Sequence, residues 1–314
     1  MIFIRGIQGL AGHARNTEQG KGCVATIGNF DGVHIGHQHV LRQLVEQAQR
    51  MSLPSVVIIF EPQPLEYFSA SNAPGRLTRL REKIRVLNDS GIDKVLCIHF
   101  SKRFAALTYQ EFIHTVLIDG LAVRYLVVGD DFCFGKNRAG NFSNLQQAGE
   151  EHNFTVTSMD TFLFKDERVS STRVRQALEK ADFHLVKCLL NRDYSMSGHV
   201  AHGEKLGREL GFPTANIHIR RKRSPLSGIY IVEVDGVDAK PLPAVASIGT
   251  RPTINGKQVI LEVYIFNFDR EIYGQLVNVR FLKKIREELK FDSLDTLTEK
   301  IKEDVRIAKS YFKL

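Results

Sequence analysis

The sequence predicts two successive domains, an α/β domain with a parallel sheet and then a small antiparallel β-barrel that ends in a helix. In the first half, short apolar runs alternate with helical patterns, which is typical of parallel βαβ units. Beyond about residue 190, β-rich runs separated by turn signals follow one another almost without helices. The length of 314 residues suits two domains. We therefore expect domains at residues 1–186 and 187–314.

In the first half, each predicted strand is followed by a predicted helix. The strands are nearly continuous apolar runs, as expected for a sheet buried on both faces. The helices carry apolar residues at a period of about 3.6. In chain order the predicted strands are 23–27, 55–60, 94–100, 125–128 and 154–158, and the predicted helices start near 36 and then cover 80–87, 110–118, 145–152 and 172–180.

The second half contains the sequence pattern of a barrel followed by one helix. Its β-rich runs are residues 228–234, 244–248, 259–266 and 276–282. Near the end of the chain, Leu294, Leu297, Ile301 and Val305 are spaced as one apolar stripe, which predicts an amphipathic helix.

The charge of the chain indicates anionic partners. Lys and Arg number 43 against 35 Asp and Glu, a net charge of +8, which suits nucleic acid, a membrane surface or phosphorylated small molecules. The 43% hydrophobic and 25% charged residues are typical of a globular protein and exclude a disordered or collagen-like chain. The four cysteines form no C-x-x-C pair, which excludes a zinc ribbon and indicates a reducing compartment. Without a signal-like start or an apolar run of about 18 residues, we expect a cytoplasmic protein with no membrane partner.

The first candidate site is residues 28–37 (GNFDGVHIGH), between the first predicted strand and the first helix. In an open parallel sheet, that loop lies at the carboxyl edge, where ligands bind. Gly28 and Gly36 would let the backbone approach a phosphate, and the helix start adds N–H donors. His34 and His37 would point at the same anion. The alternative is a polar turn with capping histidines; a metal site would lack a third ligand at suitable spacing in this loop.

The run HIGH, from His34 to His37, resembles the signature of the HxGH nucleotidyltransferases, a Rossmann-like superfamily that transfers a nucleotidyl group from ATP. That superfamily also uses a later motif at a helix start, and residues 169–175 (VSSTRVR) fit it. Ser171 and Thr172 would cap the helix, and Arg175 offers a planar fork for phosphate. Taken alone, this segment is also an ordinary N-cap followed by surface charge.

Two further loops extend the resemblance. Residues 60–64 (FEPQP) and 129–135 (GDDFCFG) each follow a predicted strand at the same sheet edge. Together with residues 28–37 they are similar to the adenylyltransferase half of the prokaryotic bifunctional riboflavin kinase/FMN adenylyltransferases, the FAD synthetase family. Cys133 stands where that family's pattern has Arg, so no charge contact is expected there. The resemblance implies ATP or FMN contacts by Gly28, Phe30, Asp31, Gly36, Asp131, Ser171 and Thr172.

The second candidate site is residues 198–216, a glycine-rich β-turn-β segment that could lie over phosphates. Neither a Walker motif nor G-x-G-x-x-G is present in it. Residues 213–216 (PTAN) match the signature of riboflavin kinases, and the resemblance implies that Thr214 and Asn216 hold Mg²⁺ between ATP phosphates. The ATP and riboflavin contacts implied in this half are Gly203, Lys205, Gly207, Arg208, Asn216 and Arg286.

Glu262 interrupts a strongly apolar predicted strand. Alternation does not decide whether it points outward or into a site, because it shares its face with Tyr264 and Phe266. The resemblance implies that Glu262 is the catalytic base, which accepts the proton of the ribityl 5′-hydroxyl as that oxygen attacks the γ-phosphorus. Residues 248–253 (IGTRPT) belong to the same family pattern, and their role stays open.

The resemblance covers essentially the whole chain and implies two reactions. Riboflavin and ATP would give FMN and ADP in the barrel, and FMN and ATP would give FAD and pyrophosphate in the α/β domain. In the second reaction His34 and His37 would stabilise charge on the α-phosphate and the leaving pyrophosphate, and Arg175 would clamp phosphate. Mg²⁺ would assist, and the product flavins would be delivered to apo-flavoproteins.

Two other functions are compatible with parts of the sequence. One is a monofunctional FMN adenylyltransferase with a degenerate second domain, which the intact PTAN and Glu262 argue against. The other is a basic RNA-binding or RNA-modifying protein on the same α/β core. Apart from residues 220–223 (RRKR), the sequence contains no basic stripe of the kind that binds nucleic acid, so we expect small-molecule substrates and no nucleic acid.

Overall fold

The computed structural model describes residues 1–10, 22–203, 207, 210–253 and 256–314, with the backbone alone for 251–253 and 256–258. The chain divides into two compact units. The first comprises Met1–Ala73 and Arg79–Ser170, and the second comprises Pro74–Thr78 and Ser171–Leu314. Within these described ranges, no helix has both the length and the apolar sequence needed to span a bilayer.

The first unit is built on a six-stranded parallel sheet, as predicted, with the order β1-β4-β3-β2-β5-β6. The structure adds the short first strand, which the sequence pattern did not indicate. Apolar clusters cover both faces of the sheet, which is why its central strands lack alternation. The strands are β1 (Ile2–Arg5), β2 (Cys23–Ile27), β3 (Ser55–Glu61), β4 (Lys94–His99), β5 (Val123–Gly129) and β6 (Thr155–Met159).

Helices connect the strands of this sheet. The predicted helix at 110–118 is confirmed, but it consists of one α-helical turn followed by a π-helical segment, Ile113–Ile118. The helices are α1 (Ile35–Met51), α2 (Pro64–Phe68), α3 (Leu80–Asp89), α4 (Lys102–Ala105), α5 (Tyr109–Phe112) and α6 (Phe142–His152), with a 3₁₀ turn at Lys136–Arg138. A hairpin of β7 (Leu163–Phe164) and β8 (Glu167–Arg168) follows β6.

The strand order creates a switch point beside β2. From β2 the chain proceeds through β3 to β4 on one side, whereas β5 pairs with the other side of β2. In open α/β sheets, ligands bind outside the carboxyl ends of the strands where the order reverses. The loops that follow β2 and β5 are the ones that border this point.

The second unit contains a closed antiparallel barrel with the order β10-β13-β12-β11-β14-β9, which confirms the predicted architecture. Its strands are β9 (Ser195–Ala201), β10 (Ala215–His218), β11 (Gly228–Asp235), β12 (Leu242–Thr253), β13 (Gly256–Ile265) and β14 (Leu276–Arg286). The unit also contains the helices α7 (Ser171–Glu179), α8 (Phe183–Leu190) and the terminal α9 (Leu294–Phe312). The predicted domain boundary after residue 186 falls within α8.

Helix α9 packs on the outer face of the barrel. Its buried Val305 and Ala308 contact an apolar cluster that includes Val245 and Phe266. The predicted stripe is correct along most of the helix, but Leu294 is 57% exposed, because it lies in the first turn, outside the residues that pack on the barrel. The helix therefore covers one side of the barrel and encloses the outer face of the strands on that side.

Candidate active sites

The two histidines of the first site are held together at the start of α1. His34 is the N-cap, and its Nδ1 accepts a hydrogen bond from the backbone N–H of His37 at 3.3 Å. The two imidazole rings stack with their centroids 3.6 Å apart and 16° between their planes. Capping, which the sequence offered as the alternative to anion binding, is therefore the contact that fixes the geometry of the pair.

The backbone before the histidines adopts an unusual conformation. Phe30 and Val33 have φ angles of 45° and 43°, in the left-handed region, although neither is glycine. Such a conformation costs on the order of 1–3 kcal/mol for each residue and persists only where the surroundings hold it. Both side chains are buried, at 2% and 0% exposure, in the core beneath the loop. Strained backbone of this kind clusters at functional sites.

His37 is partly buried, and its imidazole is neutral. Its ring lies 5.0 Å from that of Phe30, and its Nδ1 is buried with no hydrogen-bond partner among the described residues. The pKa of His37 lies well below its usual range, because burial disfavours the imidazolium and because His34 and Lys83 oppose a further positive charge. A neutral imidazole at this position can donate a hydrogen bond without carrying charge.

Lys83 is part of this site, and no sequence motif indicated it. It lies in α3, is 1% exposed, and donates from Nζ to the carbonyl oxygen of Asn29 at 2.5 Å. The available signal was its position in the predicted helix, three residues after Leu80 and four before Leu87. A lysine on the apolar face of a helix needs a partner in the interior.

The other predicted residues of this loop support its shape. Asp31 is 3% exposed. A Cβ at Gly36 would lie 3.3 Å from His34 Nδ1, and one at Gly28 would lie 3.0 Å from the Phe30 ring, so both glycines allow close packing at the histidines. Because the Phe30 ring is in the core, it faces His37 and not solvent.

The other residues predicted for the adenylyltransferase reaction belong to other elements of the chain. Asp131 forms an exposed ion pair with Arg168 at 2.7 Å. Ser171 and Thr172 begin α7, which belongs to the second unit. In that unit, the Nε of Arg175 donates to the carbonyl oxygen of Gly75 at 2.8 Å. The guanidinium therefore has a backbone partner, and its role as a phosphate clamp stays a prediction.

In the second unit, most of the predicted residues that the structure describes line one cavity, although Gly203 does not. It has a volume of about 290 Å³ and lies between the barrel strands and α9. Five residues assigned from the sequence contribute to its wall: Gly207, Thr214, Asn216, Glu262 and Arg286. Lys205 and Arg208 lie outside the described residues.

The strand register brings Glu262 next to Asn216. The two residues are direct cross-strand partners between β10 and β13, and Ser247 of β12 is the partner of Glu262 on its other side. Side chains directly opposite one another project from the same face of a sheet. Leu261 and Val263, on the alternate face, are fully buried. Glu262 therefore points away from the barrel interior, and it still faces an enclosed site because α9 covers that side.

Two glycines of the glycine-rich segment 198–216 lie close to the PTAN side chains. A Cβ at Gly203 would overlap the amide of Asn216, and one at Gly207 would lie 3.2 Å from Thr214 Oγ1. Any side chain at Gly203 would displace the Asn216 amide. Gly203 and Gly207 of the segment are thus explained by their close approach to the two predicted Mg²⁺ ligands.

Arg286 is fixed by a residue of α9 that the sequence motifs did not indicate. Its Nε and Nη2 donate to the carboxylate of Asp304 at 2.9 and 2.7 Å, and its Nη1 donates to the carbonyl oxygen of Glu287. The two side chains are only 15% and 5% exposed, and both residues line the cavity. An Asp beside Ile301 and Val305, on the packing face of a helix, was the signal for such a partner.

Glu288 contributes a second carboxylate to the cavity wall. Its pKa is raised, first by burial and then by the neighbouring charge of Glu287. A Cβ at Gly249 of β12 would overlap this carboxylate. Gly249 belongs to the IGTRPT segment, so one role of that segment is to leave room for the Glu288 side chain.

Oxygen atoms dominate the candidate metal position. Thr214 and Asn216 offer a hydroxyl and an amide oxygen on the cavity wall near Glu262. Across the residues with described side chains, no group of three or more His, Cys, Asp or Glu could hold a metal by itself. A site of this composition suits a hard cation that takes its other ligands from water and phosphate.

Two family models match the chain in succession. FAD synthetase matches residues 16–173, and riboflavin kinase matches residues 190–312. The chain is 49% identical over 314 residues to the bifunctional riboflavin kinase/FMN adenylyltransferase of Escherichia coli strain K12, with 100% of this chain and 99% of that protein covered. The protein of the same description from Pseudomonas fluorescens is 46% identical over 311 residues, with 99% and 97% covered.

A solved structure resembles the chain over its whole length. The macrolide-efflux protein from Streptococcus pneumoniae has a TM-score of 0.78 and 29% sequence identity, with 98% of this chain and 99% of that chain covered. Its fold therefore includes both an α/β sheet and a barrel of the kinds described above.

Proposed function

The chain belongs to the bifunctional riboflavin kinase/FMN adenylyltransferase family, and from that premise we propose which residues carry out each of its two reactions. The enzyme phosphorylates riboflavin with ATP to give FMN and ADP. It then transfers the adenylyl group of a second ATP to FMN, which gives FAD and pyrophosphate. The observation that carries the assignment is the convergence of Thr214, Asn216 and Glu262 on one cavity.

Glu262 is the general base of the kinase reaction. It accepts the proton of the ribityl 5′-hydroxyl while that oxygen forms a bond to the γ-phosphorus and the bond to the bridging oxygen of ADP breaks. Its cross-strand position beside Asn216 supports this role, because the base and the phosphate-binding residues must lie together. The remaining wall of the cavity, formed by β10–β14 and α9, is proposed to hold riboflavin.

Thr214 and Asn216 are proposed to hold Mg²⁺ through their side-chain oxygens. When bound there, Mg²⁺ would neutralise charge on the ATP phosphates. Gly203 supports the proposal, since its lack of a side chain leaves the Asn216 amide in place. Lys205 and Arg208 are proposed to add positive charge over the same phosphates.

In the adenylyltransferase reaction, an oxygen of the FMN phosphate forms a bond to the α-phosphorus of ATP, and pyrophosphate leaves. His34 and His37 donate hydrogen bonds to the oxygens on which charge increases, and the N-terminus of α1 adds backbone donors. The lowered pKa of His37 makes its imidazole a weak base, which supports hydrogen-bond donation rather than proton transfer. Arg175, Ser171 and Thr172 are proposed to contact phosphate as well.

We also propose that the boundary between the two domains in the sequence lies between residues 186 and 187. One family model matches residues before that point and the other matches residues after it. The four free cysteines support a cytoplasmic location, because disulfides are rare there. Delivery of the product flavins to apo-flavoproteins follows as a proposal from the identity of the products.

The experiment is incubation with riboflavin, ATP and Mg²⁺, followed by chromatography of the flavins. We expect FMN to appear first and FAD to follow, and supplied FMN to give FAD directly. Formation of neither product would contradict the assignment. Formation of FAD from supplied FMN and ATP, with no FMN formed from riboflavin, would restrict the assignment to the adenylyltransferase reaction.

The metal proposal is tested by titrating Mg²⁺ in the kinase assay. Thr214→Val keeps the shape of the side chain and removes its hydroxyl, so we expect the Mg²⁺ concentration for half-maximal kinase activity to rise roughly tenfold. The adenylyltransferase reaction of the same chain serves as the control. An unchanged Mg²⁺ dependence would contradict the role of Thr214.

A further inference from the structure

Lys83 is a buried charge that the two proposed reactions do not yet use. At 1% exposure, its ammonium has left water, which carries a large desolvation cost unless hydrogen bonds or opposite charges compensate. Lys83 and Leu87 are the buried residues of α3, and Leu87 belongs to the same apolar cluster as Val33. A methionine or leucine would fill this place without the desolvation cost of a buried ammonium, so a role for the charge is expected.

Lys83 is hydrogen-bonded to the first part of the loop 28–37, which carries His34 and His37. Its Nζ donates to the carbonyl oxygen of Asn29, in the peptide group that joins Asn29 to Phe30. Phe30 is the first of the residues with positive φ in the loop, and the turn continues to His34, the N-cap of α1. Fixing this peptide group therefore sets the direction in which the strained turn begins.

The charge of Lys83 also reaches the histidine pair. The groups that act on the His37 imidazole are His34, stacked on it from the same loop, and Lys83 from α3, while Asp31 is buried within the loop. A positive charge that stays in place below the loop disfavours a second one on His37. Burial is the largest cause of the lowered pKa of His37, and the charge of Lys83 adds to it, so this imidazole stays in the neutral form.

We propose that Lys83 is a positioning residue of the adenylyl-transfer site, which holds the Asn29 carbonyl and so presents His34 and His37 to the α-phosphate of ATP. The inference rests on the proposed function of the first unit. Lys83 acts from behind the loop and does not itself touch substrate. Its ammonium contributes in two ways, through the bond to the backbone and through the charge near His37.

The test uses three variants of α3. Lys83→Met keeps the length of the side chain and removes the charge, Lys83→Arg keeps the charge with a different hydrogen-bond geometry, and Arg85→Met removes a charge from the exposed side of the same helix. We measure kcat and KM for FMN adenylylation against pH, with riboflavin kinase activity of the same chain as the internal control. Calorimetry reports whether the first unit remains folded.

We expect Lys83→Met to lower kcat for adenylylation by at least ~10-fold with a smaller change in KM for ATP, because the histidines act in the transition state. Loss of the ammonium raises the pKa of His37, so the acid limb of the rate profile should move to higher pH. Lys83→Arg should lower kcat without moving that limb. Arg85→Met and the kinase reaction should be unchanged.

Three results would overturn the proposal. The first is adenylylation within about twofold of wild type in Lys83→Met, with the same acid limb. The second is an equal shift of the limb in Lys83→Met and Lys83→Arg, since the charge would then be irrelevant. If Lys83→Met does not fold, NMR titration of the wild-type His37 imidazole decides, and protonation near its ordinary pKa would count against the proposal. Wild type that lacks adenylylation would instead remove the proposed function itself.

Discussion

At the scale of single residues, both candidate sites depend on charged side chains that are buried against a specific partner. In the kinase cavity, Asp304 of α9 holds the guanidinium of Arg286 through two nitrogens. In the first unit, Lys83 holds a backbone carbonyl of the histidine loop. Asp304 fixes Arg286, which lines the cavity proposed to hold riboflavin, and Lys83 fixes the loop that carries His34 and His37.

The Arg286–Asp304 pair gives a direct prediction. Breaking a buried ion pair from one side leaves an uncompensated charge and costs about 3–5 kcal/mol. We therefore expect Asp304→Ala to lower the free energy of unfolding of the second unit by this order, as measured by urea unfolding. Asp304→Asn keeps the shape of the side chain and should lose less stability.

Both Asp304 variants should raise the KM for riboflavin, because Arg286 lines the same cavity. Adenylylation of supplied FMN is the matched control and should be unaffected. Unchanged stability and unchanged KM in Asp304→Ala would show that the pair does not hold Arg286.

The motifs identified the residues of the candidate sites, but they did not identify the residues that surround and position them. Thr214, Asn216 and Glu262 were found because short signatures carry them. Their proximity was not predictable from spacing, since the β10–β13 register depends on how the whole barrel closes. Lys83 and Asp304 were missed because a polar residue on an apolar helix face has no motif, although its position is itself a signal.

At the scale of secondary-structure elements, α9 turns the outer face of the barrel into an enclosed site. Glu262 and Tyr264 project from the face of β13 opposite to the barrel core, and the packing residues of the helix cover them. Glu288 lies in the link between β14 and α9, and its carboxylate packs closely against Gly249 of β12. The shape of the cavity thus depends on how closely this link approaches the strand.

Gly249→Ala tests that close approach. The added Cβ would overlap the Glu288 carboxylate, so the side chain must leave its place and the KM for riboflavin should rise several-fold. Glu288→Gln and the variant with both substitutions complete a double-mutant cycle. If Gly249 acts through this carboxylate, the effects should be clearly non-additive, by about 0.5 kcal/mol or more. Strictly additive effects on KM would contradict the contact.

Periodicity predicted most elements, with exceptions that have physical causes. β1 spans only four residues, Ile2–Arg5, and is defined by pairing with β4 far along the chain. β10 is equally short and begins at the end of the glycine-rich segment 198–216, so its four residues show no alternation. The β12 strand extends to Thr253 because its partner β13 continues the ladder beyond the apolar run.

At the scale of the whole molecule, one chain carries two phosphorus-transfer activities on two folds. The positive net charge indicated an anionic partner but could not choose among nucleic acid, membrane and phosphorylated small molecules. Membership of the bifunctional riboflavin kinase/FMN adenylyltransferase family makes that choice in favour of small molecules. The central claim is that each of the two reactions depends on its own residues, adenylylation on His34 and His37 and phosphorylation of riboflavin on Glu262.

The most direct test compares two variants in both reactions, with flavins separated by chromatography. His34→Asn keeps an acceptor at the N-cap, and Glu262→Gln keeps the shape of the carboxylate. We predict that His34→Asn forms FMN from riboflavin but loses FAD formation by at least ~100-fold, and that Glu262→Gln shows the reverse with a similar loss of kinase activity. Loss of both reactions in either variant, with both units still folded, would contradict the account.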